Sequence, residues 1–483
     1  MYRNIVYNNR TSEMKLFTWN TKGERIVRNI PYQPYYYTET GVSNPDAKSI
    51  FGTKLKKHTF QNDYERRQSI KNGDIDRIYN NLDVKQNFLI DAFHKHNKKK
   101  DFSKFDLSIF YIDIEVYSPD EFPEAWEANH PINVVTIYNS LKNEFRIFCL
   151  EHDFDPSGFV GENKKRYDDI NKRSTLTVTT HRTENELLEA LLSYWQVDYP
   201  DVVTGWNLVF DIPYIVNRIR KRLSMRHVNR LSPTGMVREF IRKKKISAQY
   251  SVEVQDFEMQ GVTTLCYQEV YAKFNMNPVP NMKLDTILTI EVGKGKVDFE
   301  SSNLAQLADD NWDVFVLYNI EDVNGLVLLE EKLKFMQVAR MLAYMGLTPL
   351  NKSLDTLPIV NGYCAVNSYE EGKVIPTFVK NDIVWGKFEG AYVKEPIPGI
   401  YDNIVSFDLN SLYPMTMITL NTSPETKFGT VIERSNGNVV VEDNTGNQTE
   451  MTRENLDKLC KANDLALSKA NILFTQKKKG NLS

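Results

Sequence analysis

The chain has 483 residues and nearly balanced charge, 60 Lys and Arg against 63 Asp and Glu, with 41% apolar and 25% charged residues. That is a globular mix of roughly three domains, which excludes a disordered or fibrous chain. No run approaches the about 18 apolar residues of a membrane span, and the first residues carry no apolar signal segment. Cys149, Cys266, Cys364 and Cys460 are scattered and form no C-x-x-C. The expectation is a protein of a reducing cytoplasm, with no membrane, disulfide framework or zinc site.

The net charge of −3 leaves nucleic acid open as a partner, because local fields outweigh the sum. Lys and Arg gather in 94–100, 218–230, 242–245 and 477–479, and each run taken alone reads as solvated surface. Two of the runs flank the acidic segments described below.

In chain order, residues 1–105 read as mixed strand and loop, rich in Tyr and Asn and without a legible motif. Residues 107–116 read as a buried strand whose far end turns acidic, and strand patterns follow at 133–138 and 144–150. Thr183 as N-cap, with Leu187, Leu188, Leu191 and Leu192 at helical spacing, predicts a helix from Glu184 to Trp195. Another helix opens near Asp211 and runs to about Arg222, whereas Lys283 to Ile287 reads as strand-like. Strands alternating with helices predict a mixed α/β (α+β) domain to about residue 335. A long helical pattern over roughly Asp313 to Tyr344 leads out of it, and the last block, opening near Val384, holds an apolar strand at Ile404–Phe407 that ends in Asp408.

Chemistry enters with the acids. In Asp113-Ile-Glu115 the strand period of two puts both carboxylates on one face. Asp211 follows in Asn207-Leu-Val-Phe210-Asp211. Tyr318 and Asp322 stand at i, i+4 on one helical face, while Glu321 lies on another face and reads as solvated. Each segment alone is an ordinary acidic surface. Converging carboxylates repel one another unless divalent cations sit between them, and Mg²⁺ prefers oxygen ligands. Two such ions about 4 Å apart stabilise the attacking water and the leaving oxygen of an in-line phosphoryl displacement. A tyrosine hydroxyl beside them can orient the water. The implied chemistry is phosphodiester hydrolysis.

The order D-x-E, N-x-x-F-D, Y-x-x-x-D resembles the exonuclease motifs of DnaQ-like 3′→5′ exonucleases, in the form carried by family-B DNA polymerases. The resemblance implies an RNase H-like domain in which Asp113, Glu115, Asp211 and Asp322 hold two Mg²⁺ ions and Tyr318 positions the water. It also implies that Phe122, Asn207 and Phe210 hold and stack an unpaired single-stranded 3′ DNA end, a grip that tolerates any base. Core packing is the equal alternative for Phe122 and Phe210. Lys296 is a candidate phosphate contact, with a plain surface lysine as the other reading. Arg242 to Tyr250 fall where relatives carry a β-hairpin that helps separate primer from template.

The segment Asp408-Leu-Asn-Ser-Leu-Tyr-Pro414 is the most specific in the chain. A strand would deliver Asp408 to its end, and Pro414 sits in the first turn of a helix, where its missing N–H costs nothing. Backbone N–H groups at such a turn make a seat for a triphosphate. The pattern D-x-x-S-L-Y-P resembles polymerase motif A of the same family. By that resemblance Asp408 and the Leu409 carbonyl bind the catalytic metals, and Ser411 and Leu412 offer amides to the dNTP phosphates. Tyr413 packs under the sugar and excludes a 2′-hydroxyl. Upstream, Phe388-Glu-Gly-Ala391 resembles the Y-x-G-G/A element with Phe for Tyr, and Leu420 to Glu425 match the T-even bacteriophage version of the family.

The family's polymerase site also needs an acidic D-T-D turn and a fingers helix with a Lys and an Asn-Ser-Tyr-Gly signature, and neither occurs in these 483 residues. The expectation is an N-terminal subunit of a split phage replicative polymerase, with a complete proofreading exonuclease. Its polymerase metal pair would form only with a C-terminal partner chain. Two readings stay open beside it: a stand-alone 3′→5′ exonuclease with a vestigial palm, and a nucleic-acid-binding regulator, since the N-terminal domain of some T-even relatives resembles an RNA-binding module. The implied partners are a single-stranded 3′ end, primer–template DNA, dNTP, the C-terminal polymerase fragment, a sliding clamp reached through that fragment, and RNA, all in the host-cell cytoplasm. The expected division is a discontinuous N-terminal domain (1–105 with 337–378), an exonuclease domain (106–336) and the first part of a palm (379–483).

Overall fold

Along the strand Ile109–Val116, Phe110, Ile112 and Ile114 alternate with Tyr111, Asp113 and Glu115, so one face is apolar and the other carries the acids. The computed structural model to which this strand belongs describes residues 1–73, 77–97, 105–118, 123–245, 251–295, 304–377, 392–443 and 446–482. The chain divides into two compact units, Met1–Tyr32 with Lys95–Ile359 and Gln33–His94 with Val360–Ser483.

In the first unit the acid-bearing strand is interior to a six-stranded sheet. The order is Thr175–His181, Glu144–Leu150, Ile132–Asn139, Ile109–Val116, Val202–Thr204, Thr263–Thr264. Ile132–Asn139 is antiparallel to both neighbours and the other pairs are parallel. The apolar face of the central strand packs against Leu187, Leu188, Leu191 and Trp195 of the helix Glu184–Val197 and against Ile212 and Ile215 of the helix Leu208–Arg222. The helix Trp312–Leu333 covers the acid face, lying over Ile109–Val116 and Ile132–Asn139. Helices on both faces of a mixed sheet are the α/β layering that the sequence pattern implies.

Three of the expected strands and the Thr183-capped helix form where the patterns place them. Thr183 accepts from Glu186 N at 3.3 Å, and the Glu186 carboxylate returns to the Thr183 amide. The segment 283–287 does not: it belongs to a helix, Leu284–Val292. Leu284, Ile287 and Leu288 are its buried residues, spaced i, i+3, i+4, and Gly293 closes it at φ 74°. The long helical pattern is two helices, Trp312–Leu333 and Phe335–Met345, broken at Lys334 with φ 58°. Glu330 Oε2 accepts from Met336 N at 3.0 Å and caps the second.

Residues 1–32 add a three-stranded antiparallel sheet, Tyr2–Asn8, Glu13–Trp19 and Arg25–Pro31. It is bolted to this unit through Asp201, which pairs with Arg3 and with Arg25 at 2.8 Å and accepts from Ser108 N at 2.9 Å. A long hairpin, Val237–Lys245 with Ser251–Met259, forms at the segment where the family resemblance implies one. Residues 246–250 lie outside the described residues.

The second unit holds two sheets. One joins short strands in the order Lys373–Val374, Ala47–Ser49, Lys54–Thr59, Tyr35–Glu39, Ile78–Tyr79, Pro376–Thr377. The other is five-stranded, with Val431, Val439, Val441, Leu456 and Leu473 as its core. The expected strand Ile404–Phe407 is absent: the segment pairs with no strand among the described residues, and Ile404, Val405 and Phe407 are exposed. An apolar run becomes a strand only when neighbours satisfy its backbone and something covers its side chains. No helix among the described residues is long and apolar enough to cross a membrane.

Candidate active site

The edge of the central strand, the long helix and the turn after Val202–Thr204 meet around the acids. Ligand oxygens of Asp113, Glu115 and Asp322 lie within 4.8 Å of one another. Glu115 and Asp322 are buried and Asp113 is half-buried. Tyr318, one turn before Asp322 on the same helix, is buried beside them in sequence position and face. Three carboxylates so close repel strongly in a partly dry site, and a hard divalent cation with oxygen preference is the counter-charge that fits.

Asp211 is not one of the three that fall within 4.8 Å. It sits in the first turn of the helix Leu208–Arg222, and its Oδ2 is buried without a hydrogen-bond partner. Burial pushes this carboxyl up to about 8, against the lowering effect of a backbone hydrogen bond, and the Asp322 charge adds to the rise. An orphaned buried oxygen next to a carboxylate cluster suits a cation, which would satisfy it. The approach of this helix depends on Gly205: a Cβ there would lie 2.7 Å from the Ile112 carbonyl oxygen and 3.4 Å from Asp211 Oδ2. Only glycine lets the turn pass over the central strand.

Asn319 is a site residue that motif reading misses. It is fully buried and donates from Nδ2 to Asp113 Oδ2 at 2.7 Å. That bond fixes the Asp113 rotamer with a neutral partner, adding no charge to the cluster. Partners of this kind orient metal ligands, so Asn319→Leu is expected to weaken Mn²⁺ binding roughly 10- to 100-fold, read by titration calorimetry. Glu321, expected to be solvated, is instead buried and accepts from Asn324 Nδ2 at 3.0 Å. From Val314 to Val327 the long helix is buried at every position, so that stretch, Glu321 included, has no face left to water.

Of the residues expected to hold a 3′ end, Asn207 is exposed at the start of the Leu208–Arg222 helix and Phe210 is half-buried, packing on Tyr214 with ring centroids 5.3 Å apart. Both line a groove of about 700 Å³ whose opposite wall is the hairpin. Phe122 and Lys296 lie outside the described residues, as do Phe388 to Ala391.

In the second unit Asp408, Leu409, Ser411, Leu412 and Tyr413 are all exposed. Ser411 adopts φ 54° and precedes the helix Leu412–Leu420, so Pro414 does fall in a first helical turn. The first amides of that helix have no intrahelical acceptors and are available to an anion. The nearby Asn421 has a structural task. Its Nδ2 donates to Thr475 O at 2.6 Å and Lys478 O at 2.7 Å, and its Oδ1 accepts from Gly480 N at 2.8 Å.

Comparison with known proteins agrees with this geometry. Residues 67–287 match the model of the DNA polymerase family B exonuclease domain, and residues 355–470 match that of DNA polymerase family B. The first match contains Asp113, Glu115 and Asp211, and the second contains Asp408 to Pro414; Tyr318 and Asp322 fall between them and join the site through the fold. The DNA-directed DNA polymerase of Escherichia phage RB69 is 30% identical over 426 residues, 85% of this chain and 46% of the relative. That of Enterobacteria phage T4 is 29% identical over 327 residues, 66% of this chain and 35% of the relative. The DNA polymerase delta catalytic subunit of Dictyostelium discoideum is 27% identical over half of this chain. The chain thus spans less than half the length of these relatives. With Asp113, Glu115 and Asp211 inside the exonuclease match and Asp408 to Pro414 inside the polymerase match, the chain belongs to DNA polymerase family B and carries its exonuclease domain and part of its polymerase domain.

Proposed function

We propose that this chain removes nucleotides from single-stranded 3′ DNA ends and proofreads as the N-terminal subunit of a split phage replicative polymerase. The observation that carries the exonuclease part is the convergence of Asp113, Glu115 and Asp322 within 4.8 Å on a buried strand–helix seam. Asp113, Glu115, Asp322 and Asp211 would hold Mg²⁺, with Asn319 locking Asp113. When bound, paired divalent cations stabilise the attacking and leaving oxygens of an in-line displacement. Tyr318 orients the attacking water through its hydroxyl, and Asn207 and Phe210, with Phe122, hold the frayed end. The hairpin, which walls the groove that Asn207 and Phe210 line, would keep the frayed strand from its template.

DNA synthesis is part of the same proposal but needs more than this sequence contains. Asp408 and Leu409 supply one side of a polymerase metal site, and Ser411, Leu412 and Tyr413 one side of a dNTP site. The second carboxylate pair and the fingers would come from a C-terminal partner chain, which covers the exposed apolar residues from Ile404 to Ile418. The division into a discontinuous N-terminal domain, an exonuclease domain and a first part of the palm belongs to this reading.

Polarity is the direct test of the exonuclease. With Mg²⁺, a 5′-labelled single strand is expected to shorten as a ladder, while a 3′-labelled one releases labelled mononucleotide from the first turnover. The reverse pattern, or cuts inside the strand, would overturn the assignment.

A further inference from the structure

Trp126 is exposed by 62%, the one exposed tryptophan among the described residues. Trp195 and Trp206, by contrast, are buried and donate to the carbonyls of Leu231 and Met282. Leaving so large an apolar ring in water is unfavourable unless something lands on it. The turn that carries it is held from both sides. Asn217 Nδ2 donates to Ala125 O at 2.9 Å, and Arg218 Nη1 donates to Ala128 O at 3.0 Å and Asn129 O at 3.1 Å. Arg218 is itself fixed by both oxygens of buried Glu184. Asn217 also donates to Gln255 Oε1 of the hairpin at 2.7 Å, so the turn, the Asp211-bearing helix and the hairpin are locked in register. The ring is therefore presented on a rigid mount.

Trp126 lines the same groove as Phe210, Pro213 and Ile241, the last on the hairpin and also exposed. The groove's charged lining is Glu124, Glu239 and Glu253, and neither Lys nor Arg lines it among the described residues. Carboxylates disfavour phosphates inside, whereas apolar and aromatic walls accept bases. We infer that Trp126 is a base-stacking residue of this groove, gripping an unpaired nucleotide upstream of the 3′ terminus whose hydrolysis is proposed above. Strands enter base-first, with the backbone outside. Stacking accepts every base, so the grip adds affinity without sequence preference. The inference rests on the exonuclease reading for the identity of the strand, and on the groove alone for the contact.

The test is binding of a 5′-fluorescein oligodeoxythymidine in EDTA, where nothing is cleaved, read by anisotropy. Trp126→Ala is expected to weaken affinity roughly 5- to 100-fold, and Trp126→Phe to restore most of it. A strand with abasic sites near its 3′ end is expected to bind the native chain and Trp126→Ala alike. With Mg²⁺ the loss should appear in KM, with kcat unchanged. Equal affinity of Trp126→Ala and the native chain for oligodeoxythymidine overturns the inference, as does an equal loss on the abasic strand. If the native chain binds strands in this Trp126-dependent way yet cleaves none with Mg²⁺, the exonuclease reading fails and the stacking contact stands.

Discussion

Replacing Asp113 and Glu115 together with alanine is expected to lower hydrolysis of a single-stranded 3′ end by about three orders of magnitude or more. That corresponds to roughly 4 kcal/mol of transition-state stabilisation, within the several kcal/mol that paired metal ions supply at a phosphoryl centre. The fold should survive, because the apolar face of the same strand carries the packing and both acids point the other way. Removing two of three carboxylates within 4.8 Å also relieves repulsion. Against that gain, the buried Asn319 amide loses its acceptor, a cost of about 1–3 kcal/mol, so in EDTA the variant should still unfold in one cooperative transition close to that of the native chain. Mg²⁺ should raise the native melting temperature, since it binds the folded state, and leave that of the variant unmoved. A purified variant that still degrades DNA in Mg²⁺ would show that the hydrolytic site lies elsewhere.

The second large effect concerns synthesis. With primer–template, Mg²⁺ and all four nucleotides, the 483-residue chain is expected to shorten primers and to extend none. Adding a separately expressed C-terminal polymerase fragment should turn shortening into extension, and Asp408→Ala in the first chain should abolish that extension while leaving shortening intact. A lone carboxylate cannot hold two divalent ions, so extension is expected to go from undetectable to present rather than merely faster. Extension by the chain alone would refute the need for a partner. Shortening that never becomes extension would leave a stand-alone exonuclease with a palm remnant.

The parts of the site legible in the sequence are those that regular geometry dictates. Alternation along Ile109–Val116 places Asp113 beside Glu115, and the helical repeat places Tyr318 beside Asp322; both elements are enclosed, the strand inside its sheet and the helix nearly all round, so slippage of either is costly. Periodicity failed where a short run was ambiguous. Leu284, Ile287 and Leu288 suit a strand or a helix equally until neighbours choose, and helix packing decided it. Ile404 to Phe407 have a strand's composition, but composition supplies no hydrogen-bonding neighbour. Glu321 departs from expectation for a third reason: a charged residue reads as surface on an amphipathic helix, whereas Trp312–Leu333 is buried nearly all round. Asn319 and Asn217 carried no signal at all, since a buried amide that orients a neighbour is indistinguishable in sequence from a surface one. Their roles exist only as distances.

Asp201 sets a limit on where this chain can be cut. Its side chain is almost wholly enclosed, yet two of its partners, Arg3 and Arg25, come from the opening strands, while Ser108 leads directly into the acid-bearing strand. A fragment starting near residue 105 would keep every acid of the site and lose both guanidinium groups. It would strip Asp201 of both ion pairs and of the sheet that covers it, leaving the Ser108 amide as the partner from the acid-bearing segment. The first thirty residues hold none of the site's acids, and a fragment trimmed to the motifs would nevertheless be expected to fall apart without them.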